Sequence, residues 1–260
     1  MFRSLNVAAS GMAAQETQLD TIANNLANAN TTGYKTQQVQ FEDLLYENVR
    51  SAGTNSNGAT TPTTTQLGTG VHVVATTRSF AQGTLQQTNN PLDLAIQGQG
   101  FFAVMQPTGD IAYTRAGSLQ LNAQGQLTTP DGMLIEPPIT IPSNATSVTV
   151  AADGTISVQQ PGSTTTTSVG QLQLTTFPNP NGLASQGSNL FAPTIASGQP
   201  QTGAPAADGR GTIMQGSVEG SNVDVVDQMV ALITAQRAYE MNSKVISAAD
   251  EMMRNATQSQ

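Results

Sequence analysis

Cysteine and tryptophan are both absent from this sequence of 260 residues. A disulfide framework and a thiolate metal site are therefore excluded. A chain that crosses unfolded into an oxidising compartment also benefits, because it cannot cross-link on the way. Aromatic residues amount to only 4%. This scarcity argues against an exported β-rich adhesin, which would need an exposed aromatic platform.

Charged side chains are also scarce, at 10% of the residues, against about 25% in ordinary soluble domains. Thr, Ser, Asn and Gln must supply the polar surface, and such a surface repels identical copies only weakly. The net charge of −8 argues against nucleic-acid binding, because no basic surface can release counterions from phosphates. The basic residues are scattered singly, so they form no polybasic membrane patch.

Long apolar runs are missing as well, and none approaches the roughly 20 residues of a membrane-spanning helix. The N-terminal stretch resembles a secretory signal only loosely, since Asn6, Ser10 and Gly11 interrupt its apolar part. We therefore expect no membrane insertion. The chain is either cytoplasmic or exported without a cleaved signal peptide.

Few residues could carry catalysis or bind a metal. His72 is the only histidine, and we interpret it as structural or exposed and not as a ligand or base. Asp110, Asp131 and Asp153 each adjoin a glycine, which is typical of turns and not of paired catalytic acids. Residues 97–100 (QGQG) lack the pattern of a phosphate loop. A hydrolase would need a nucleophile–base pair that we cannot identify, so we expect no enzymatic activity, no cofactor and no metal.

The first 35 residues carry a heptad pattern. Its two slots contain Leu5, Met12, Leu19 and Leu26, and Ala8, Gln15, Ile22 and Ala29. This spacing predicts a coiled-coil-like helix of about four heptads. We expect the helix to end in the Asn-rich stretch before Gly33, which we interpret as its C-terminal glycine stop.

The last 40 or so residues carry a second helical pattern, predicted to form a helix about 45 Å long. Residues 221–224 (SNVD) offer an N-cap and a first-turn acid. A spacing of about 3.5 residues then relates the apolar positions Val225, Met229, Leu232, Tyr239, Ile246 and Met253.

The middle of the chain has the pattern of strands and loops. Turn signals at residues 108–110, 124–125, 131–132 and 153–154 separate short strand-like runs and predict successive hairpins. Residues 36–50 fit either a strand or one face of a helix. Three low-complexity stretches are predicted surface loops or linkers: residues 51–66, 161–168 and 196–211.

Asp93 and Arg115 are candidates for an ion pair in this middle region, and such a pair says little about function.

Each end of the chain has an apolar stripe and little else to bury it on. The economical fold pairs the ends as a helical hairpin around an inserted, mainly antiparallel β domain, which makes the class α+β. From the residues alone, the helical regions extend from residue 1 to about 35 and from about 221 to 260, with the strands and loops between them. Contacts between copies that do not close into a ring would give a helical filament. In the free monomer we expect the ends to be largely unfolded.

Motifs along the whole chain are similar to those of the rod and hook family of the bacterial flagellum. They lie at residues 10–12 (SGM), 19–23 (LDTIA), 24–35 (NNLANANTTGYK), 92–102 (LDLAIQGQGFF), 113–118 (YTRAGS), 221–224 (SNVD) and 235–244 (AQRAYEMNSK). Because they occur in the order of the family, the resemblance is specific. Within the family, the length and residues 41–46 (FEDLLY) resemble the distal rod subunits, with hook and proximal rod subunits as alternatives.

The resemblance implies a role as well as a fold. The subunit would polymerise into a rigid hollow drive shaft that transmits torque from motor to hook and forms part of the export channel. The terminal helices, residues 1–30 with 222–260, would line the inner tube. An extended connecting segment, residues 31–77, would lie between subunits, and the β-rich domain, residues 78–221, would lie outside. Implied partners are other copies, proximal rod proteins, the hook protein or hook–rod junction, peptidoglycan and outer-membrane ring proteins, and the flagellar type III export apparatus. The implied location is the basal body, spanning the periplasm.

Candidate self-assembly residues lie in the terminal helices and in the motif after the first helix. The N-terminal set is Leu5, Met12, Leu19, Ile22, Asn24, Asn25, Leu26, Asn28 and Gly33. The C-terminal set is Val225, Met229, Leu232, Gln236, Arg237, Tyr239, Asn242, Ile246 and Met253. Asn side chains both donate and accept hydrogen bonds without a net charge, so we predict that they fix the register between packed subunits.

Overall fold

The computed structural model describes residues 2–50, 53–54, 60–61, 63–162 and 165–258. Two long helices, α1 (Phe2–Ala27) and α2 (Val225–Gln258), come from the two ends of the chain. The strands described between them pair antiparallel wherever a register is defined, so the predicted α+β class is confirmed. Within the described residues, neither helix has an apolar stretch long enough to cross a membrane.

The chain forms two compact units. The first contains Met1–Ala27, Gln37–Thr77 and Asp224–Gln260, and the second contains Asn28–Thr36 and Arg78–Val223. The division that the sequence predicts, into residues 1–30 with 222–260, 31–77 and 78–221, remains a prediction.

The first unit adds short strands to the two helices. They are β1 (Gln37–Asp43), β2 (Glu47–Arg50), β3 (Gly53–Thr54), β4 (Thr60–Thr61), β5 (Thr65–Leu67) and β6 (Val71–Arg78). They pair as β1 with β6, β2 with β5, and β3 with β4. The ambiguity over residues 36–50 is thus resolved in favour of strands. Residues 51–66 were predicted to form a loop or linker, but they contain β3, β4 and part of β5. Several of the other positions in this stretch lie outside the described residues.

The second unit consists of short strands. They are β7 (Leu85–Gln87), β8 (Leu94–Gln97), β9 (Phe102–Met105), β10 (Ile111–Thr114), β11 (Gln120–Leu121), β12 (Leu127–Thr128), β13 (Leu134–Glu136), β14 (Ser147–Val150), β15 (Thr155–Gln159), β16 (Thr166–Gln171), β17 (Leu174–Thr176), β18 (Ala184–Gly187), β19 (Leu190–Ala192), β20 (Gln201–Gly203), β21 (Thr212–Gln215) and β22 (Ser217–Glu219). The largest sheet has the order β11-β12-β13-β9-β10-β19-β18, and β14-β15-β16 form another. The remaining pairs are β17–β20, β8–β21 and β7–β22.

The hairpins predicted from the turn signals are confirmed. The four turns join β9 to β10, β11 to β12, β12 to β13 and β14 to β15, all antiparallel. Gly109 shows the reason for the glycines: its φ of +91° lies where residues with a side chain are strained. Asp153 has the predicted turn role, because its Oδ1 accepts a hydrogen bond from the Thr155 N–H at 3.0 Å. That bond lowers the pKa of the Asp153 carboxyl.

Two groups of side chains form the core of the second unit. The larger group is aliphatic and includes Leu94, Ile96, Val104 and Ile156, each at most 1% exposed. The smaller group is aromatic and contains Phe80, Phe101, Tyr113, Phe177 and Phe191. These rings meet edge to face with centroids between 4.8 and 6.1 Å apart, the arrangement that the ring quadrupole favours.

Candidate functional site: the terminal helices and a buried ion cluster

Helix α2 begins at a side-chain cap. The Asp224 Oδ1 accepts hydrogen bonds from the N–H groups of Val226 at 2.9 Å and Asp227 at 3.3 Å. These are N–H groups that the first turn of a helix leaves without partners. Asp227 adds a negative charge to the same turn, where the helix dipole favours it. The N-cap predicted within residues 221–224 is confirmed at Asp224. The first-turn acid, predicted within the same four residues, is instead Asp227.

Helices α1 and α2 pack against each other inside the first unit, along a seam of small and polar residues. Ala8 in α1 and Ala235 and Ala249 in α2 are at most 5% exposed. Gly11 faces Asn242 so closely that a Cβ on the glycine would lie 3.0 Å from the amide nitrogen. Small residues at these positions therefore allow a close approach of the helices.

The buried heptad slot of α1 is not the leucine slot. Ala8 and Ile22, in the second slot, are 5% and 4% exposed. Leu5, Met12 and Leu19 are only partly buried. The second slot is therefore the inward one at Ala8 and Ile22, and Ala14, which belongs to neither slot, is also buried, at 4% exposed.

Asn25 uses its whole amide within the first unit. Its Nδ2 donates to the Gln37 carbonyl at 2.8 Å and to the Gln228 Oε1 at 3.1 Å. Its Oδ1 accepts from the Gln37 N–H at 2.9 Å. The side chain is 1% exposed, so these bonds satisfy a buried polar group. Asn25 thus fixes the start of β1 against the two helices. Its part in the register between subunits remains a prediction.

An apolar stripe on α2 stays exposed in the single chain. We use the name outer stripe for Val226, Met229, Val230 and Ile233, which are 70%, 54%, 59% and 48% exposed. Their i, i+3, i+4, i+7 spacing places them on one helical face. Large apolar side chains gathered on one exposed face mark an interaction surface.

The candidate self-assembly residues fall into three classes of exposure. The exposed ones are Asn24, Val225, Met229, Gln236, Arg237 and Tyr239. The partly buried ones are Leu5, Met12, Leu19, Leu26, Asn28, Leu232, Asn242, Ile246 and Met253. The buried ones are Ile22, Asn25 and Gly33. Sequence reasoning missed Val226, Val230 and Ile233, although their own helical spacing could have identified them.

Gly33 is not the stop of α1, so that prediction is wrong. The helix ends at Ala27, within the Asn-rich stretch as expected. Gly33 belongs to the second unit, where its N–H donates to the Glu219 carbonyl at 2.8 Å. Its φ is +73°, and a Cβ would lie 2.7 Å from the Ala116 nitrogen. Glycine is needed here for a turn against a neighbouring backbone.

Glu219 is the centre of a buried ion cluster in the second unit. Its Oε1 accepts from the Lys35 Nζ at 2.7 Å, and its Oε2 accepts from the Arg115 Nε at 2.8 Å. The Gly83 N–H also donates to Oε1, at 2.9 Å. The side chains of Glu219 and Lys35 are 0% exposed and that of Arg115 is 4% exposed.

Backbone carbonyls accept further hydrogen bonds from the two cations of the cluster. The Lys35 Nζ donates to the Ala81 carbonyl at 2.7 Å. The Arg115 guanidinium donates to the carbonyls of Gly98 at 2.9 Å and Gly100 at 2.7 Å. Charges this deeply buried are stable only when paired and hydrogen-bonded in this way.

The charges of the cluster shift one another's pKa. Burial opposes ionisation of Glu219, but Arg115 and Lys35 together outweigh it and hold the pKa of that carboxyl below its usual value. Burial lowers the pKa of Lys35, and the contact with Glu219 offsets part of that effect. Lys35 ends the first long motif, Arg115 lies in the middle one, and Glu219 precedes the SNVD motif, so the cluster joins distant parts of the sequence.

Asn222 ties the same parts of the second unit together. Its Oδ1 accepts from both the N–H and the hydroxyl of Thr36, each at 2.7 Å. Its Nδ2 donates to the carbonyls of Ser79 at 2.8 Å and Ala81 at 3.1 Å. The SNVD motif therefore serves two purposes: the Asn222 side chain bonds to two segments of the chain, at Thr36 and at residues 79–81, and Asp224 caps the helix.

The ion pair expected between Asp93 and Arg115 does not form. Arg115 contacts Glu219 instead. The Asp93 carboxylate accepts from the Thr88 hydroxyl at 2.6 Å and from the Asn90 amide at 3.0 Å. Asp93 thus stabilises a local turn, and Glu219 is the partner that sequence reasoning missed.

Three family models match separate parts of the chain. The model described as flagella basal body rod protein matches residues 5–35. The one described as flagellar hook protein FlgE/F/G D1 domain matches residues 95–158. The one described as flagellar basal body rod FlgEFG protein C-terminal matches residues 214–259. These segments include α1, much of the largest sheet, and α2.

Curated relatives match the chain over nearly its whole length. The flagellar basal-body rod protein FlgG of Caulobacter vibrioides is 48% identical over 258 residues, 98% of this chain and 98% of the relative. The protein of that name from Buchnera aphidicola subsp. Acyrthosiphon pisum is 48% identical, covering 99% of this chain and 100% of the relative. That of Bacillus subtilis is 38% identical, covering 97% of each.

Terminal helices with an uncovered apolar stripe, in a chain that also folds a β-rich unit, are typical of a structural subunit. The chain belongs to the flagellar basal-body rod protein family. This membership confirms the prediction from the motifs, which is a structural subunit of the distal rod.

Proposed function

We propose that the chain polymerises into the rigid hollow shaft of the distal rod, which transmits torque from motor to hook and forms part of the export channel. The observation that carries this proposal is the outer stripe. An apolar helical face this exposed in a single chain is expected to be covered by another protein surface once the chain assembles. Burying a side chain of this size fully contributes about 1.5–3 kcal/mol. Four such residues on each copy would make association between copies favourable.

The helices are proposed to pair as a coiled-coil-like hairpin that lines the inner tube. Supporting this, Ala235, Asn242 and Ala249 of α2 lie seven residues apart on the side that faces α1. Heptad spacing keeps a seam on one side of both helices. The β-rich part would then be the inserted outer domain, and residues 31–77 the connecting segment between subunits.

The proposed self-assembly residues differ in how directly they could contact another copy. Val225, Met229 and Tyr239 are 42%, 54% and 41% exposed and would be covered by neighbouring copies. Gln236 and Arg237 are exposed on the same helix. Ile22, Asn25 and Gly33 are buried within the chain, so their contribution to assembly would be to hold each subunit in the shape that assembles.

Family membership supports the remaining proposals. The chain would join proximal rod proteins, the hook protein or hook–rod junction, and the peptidoglycan and outer-membrane ring proteins. It would reach the basal body through the flagellar type III export apparatus without a cleaved signal peptide, and span the periplasm there. We also propose that its role is structural and not enzymatic.

The double variant Val230→Asp/Ile233→Asp tests the role of the outer stripe. Ser243→Asp is the matched control, because it adds a carboxylate to an exposed position of the same helix. Each variant would replace the native subunit in a flagellated cell, and complete rods would be counted by electron microscopy of isolated basal bodies. We expect few or no rods from the double variant and normal numbers from the control. Normal rods from the double variant would refute the proposal.

A further inference from the structure

Three segments of the second unit adjoin the first unit in sequence. They are residues 28–36, 78–84 and 219–223, and we call them the junction segments. Every force that passes along the chain from one unit to the other enters or leaves the second unit through one of them. The contacts among these segments therefore determine how firmly the second unit holds its own connections.

The first and last junction segments are bonded side by side. The Gly33 N–H donates to the Glu219 carbonyl at 2.8 Å. The Thr36 N–H donates to the Asn222 Oδ1 at 2.7 Å, and the Lys35 Nζ donates to the Glu219 Oε1 at 2.7 Å. Position 33 thus meets 219 and position 36 meets 222, so the contacts advance in the same direction along both segments.

The middle junction segment is bonded to both of the others. The Ser79 N–H donates to the Thr36 carbonyl at 2.9 Å. The Asn222 Nδ2 donates to the Ser79 carbonyl at 2.8 Å, and the Gly83 N–H donates to the Glu219 Oε1 at 2.9 Å. Asn222 and Glu219, both in the last segment, therefore each contact the other two.

Contacts arranged in this way respond to a force according to its direction. When two segments that run in the same direction are pulled toward opposite ends, all of their contacts are sheared at once, whereas peeling breaks the contacts one after another. Forced unfolding is governed by the rate of unfolding. Because shearing must break several hydrogen bonds together, including the charge-assisted bond between Lys35 and Glu219, that rate should be low.

We propose that the junction segments form a mechanical lock, which keeps the second unit closed when the chain is loaded through its connections. The lock rests on the proposed function, because a shaft that transmits torque loads each copy through these connections. Asn222 is the positioning residue of the lock, since a single uncharged amide holds the first and middle segments together.

Optical tweezers can load the lock in the shearing direction. The chain has no native cysteine, so two introduced cysteines are unique attachment points. Asn30→Cys with Val225→Cys, both at exposed positions, pulls the first and last junction segments toward opposite ends. Gln124→Cys with Ala184→Cys, also exposed, loads the two edges of the largest sheet instead.

The unfolding rate at constant force would be measured in both directions for the native chain and for Asn222→Ala. With attachment at residues 30 and 225, we expect Asn222→Ala to unfold about tenfold faster or more. With attachment at residues 124 and 184, its rate should change much less. Thr36→Val, which keeps the side-chain shape and removes the hydroxyl bond to Asn222, should show the same directional effect at smaller size.

Asn179→Ala is the matched control, because its amide bonds to the Ala196 carbonyl of the same unit, outside the junction segments. It should leave the rate under shearing unchanged. No acceleration in Asn222→Ala, or equal acceleration in both directions, would overturn the lock. Pulling uses the isolated chain, so its result is independent of assembly. A native chain that was missing from rods in flagellated cells would refute the proposed polymerisation instead.

Discussion

Replacing Glu219 with glutamine removes the carboxylate that Lys35 and Arg115 both contact. The side chain keeps its size, so the packing around it changes little. Its amide group then offers two donors where the native oxygens accept from Lys35, Arg115 and the Gly83 N–H. Two buried cations lose their counter-charge, and at least one donor of the cluster loses its acceptor.

The expected cost is large because the side chains of all three ionic groups are at most 4% exposed. Removing one partner from a buried ion pair costs about 3–5 kcal/mol. A domain of this size has a total stability of about 5–15 kcal/mol, so the loss is a large part of the whole. It corresponds to a fall in Tm of roughly 6–20 °C, at about 2–4 °C for each kcal/mol.

Differential scanning calorimetry of the purified chain measures this change. Asp250→Asn is the control, because it removes a carboxylate from the exposed pair between Asp250 and Arg254, 51% and 75% exposed. Such a pair contributes at most about 1 kcal/mol. If Glu219→Gln lowered Tm no more than Asp250→Asn, the cluster would not be a buried ionic group in solution, and the reasoning would be wrong.

Three further predictions concern residues inside the chain. Folding lowers the pKa of Glu219. Its stabilising contribution is therefore complete above the ordinary carboxyl pKa and disappears as the pH falls through the folded-state value. Because Glu219→Gln lacks this carboxyl, its Tm should fall less steeply with acidic pH than that of the native chain. Gly33→Ala should lower the free energy of unfolding in urea more than Gly132→Ala does. Both sites have a positive φ, 73° and 82°, which costs a residue with a side chain about 1–2 kcal/mol. Of the two, only Gly33 would place the new Cβ against another backbone, 2.7 Å from the Ala116 nitrogen. Asn25→Ala removes the side chain that bonds to the N–H and the carbonyl of Gln37, and it should lower the free energy of unfolding by about 1–3 kcal/mol. Asn6→Ala, at an exposed position of the same helix, should change the urea midpoint little.

Local patterns were sufficient to predict several elements, although β3, β4, β20 and parts of β5 and β16 lie in stretches predicted to be loops. The end of α1 in the Asn-rich stretch, the Asp224 cap and the hairpin turns each depend on residues close together in sequence, where backbone chemistry decides the outcome. Gly33 was misread for the same reason. Its neighbourhood in sequence resembles the end of a helix. A glycine is needed there because a Cβ would collide with the backbone of Ala116, which is distant in sequence.

Tertiary pairing decided what the sequence could not predict. The heptad pattern identifies two columns of α1 equally well, and only the approach of α2 selects the one that contains Ala8 and Ile22. Arg115 had a plausible acidic partner nearby in sequence, namely Asp93. The true partner, Glu219, lies 104 residues further along the chain, and no local signal reveals it.

The motifs and the proposed association surface are largely different sets of residues. Asn25, Gly33 and Lys35, all from the longest motif, are buried and bonded within their own units. In the outer stripe, Val226, Val230 and Ile233 lie outside the motifs and make an exposed apolar face. A motif variant such as Asn25→Ala should therefore destabilise the isolated chain, whereas a stripe variant should leave it folded and fail only in assembly. Comparing urea unfolding with rod counts for both kinds of variant separates the two effects, and a stripe variant that unfolded the isolated chain would contradict this division.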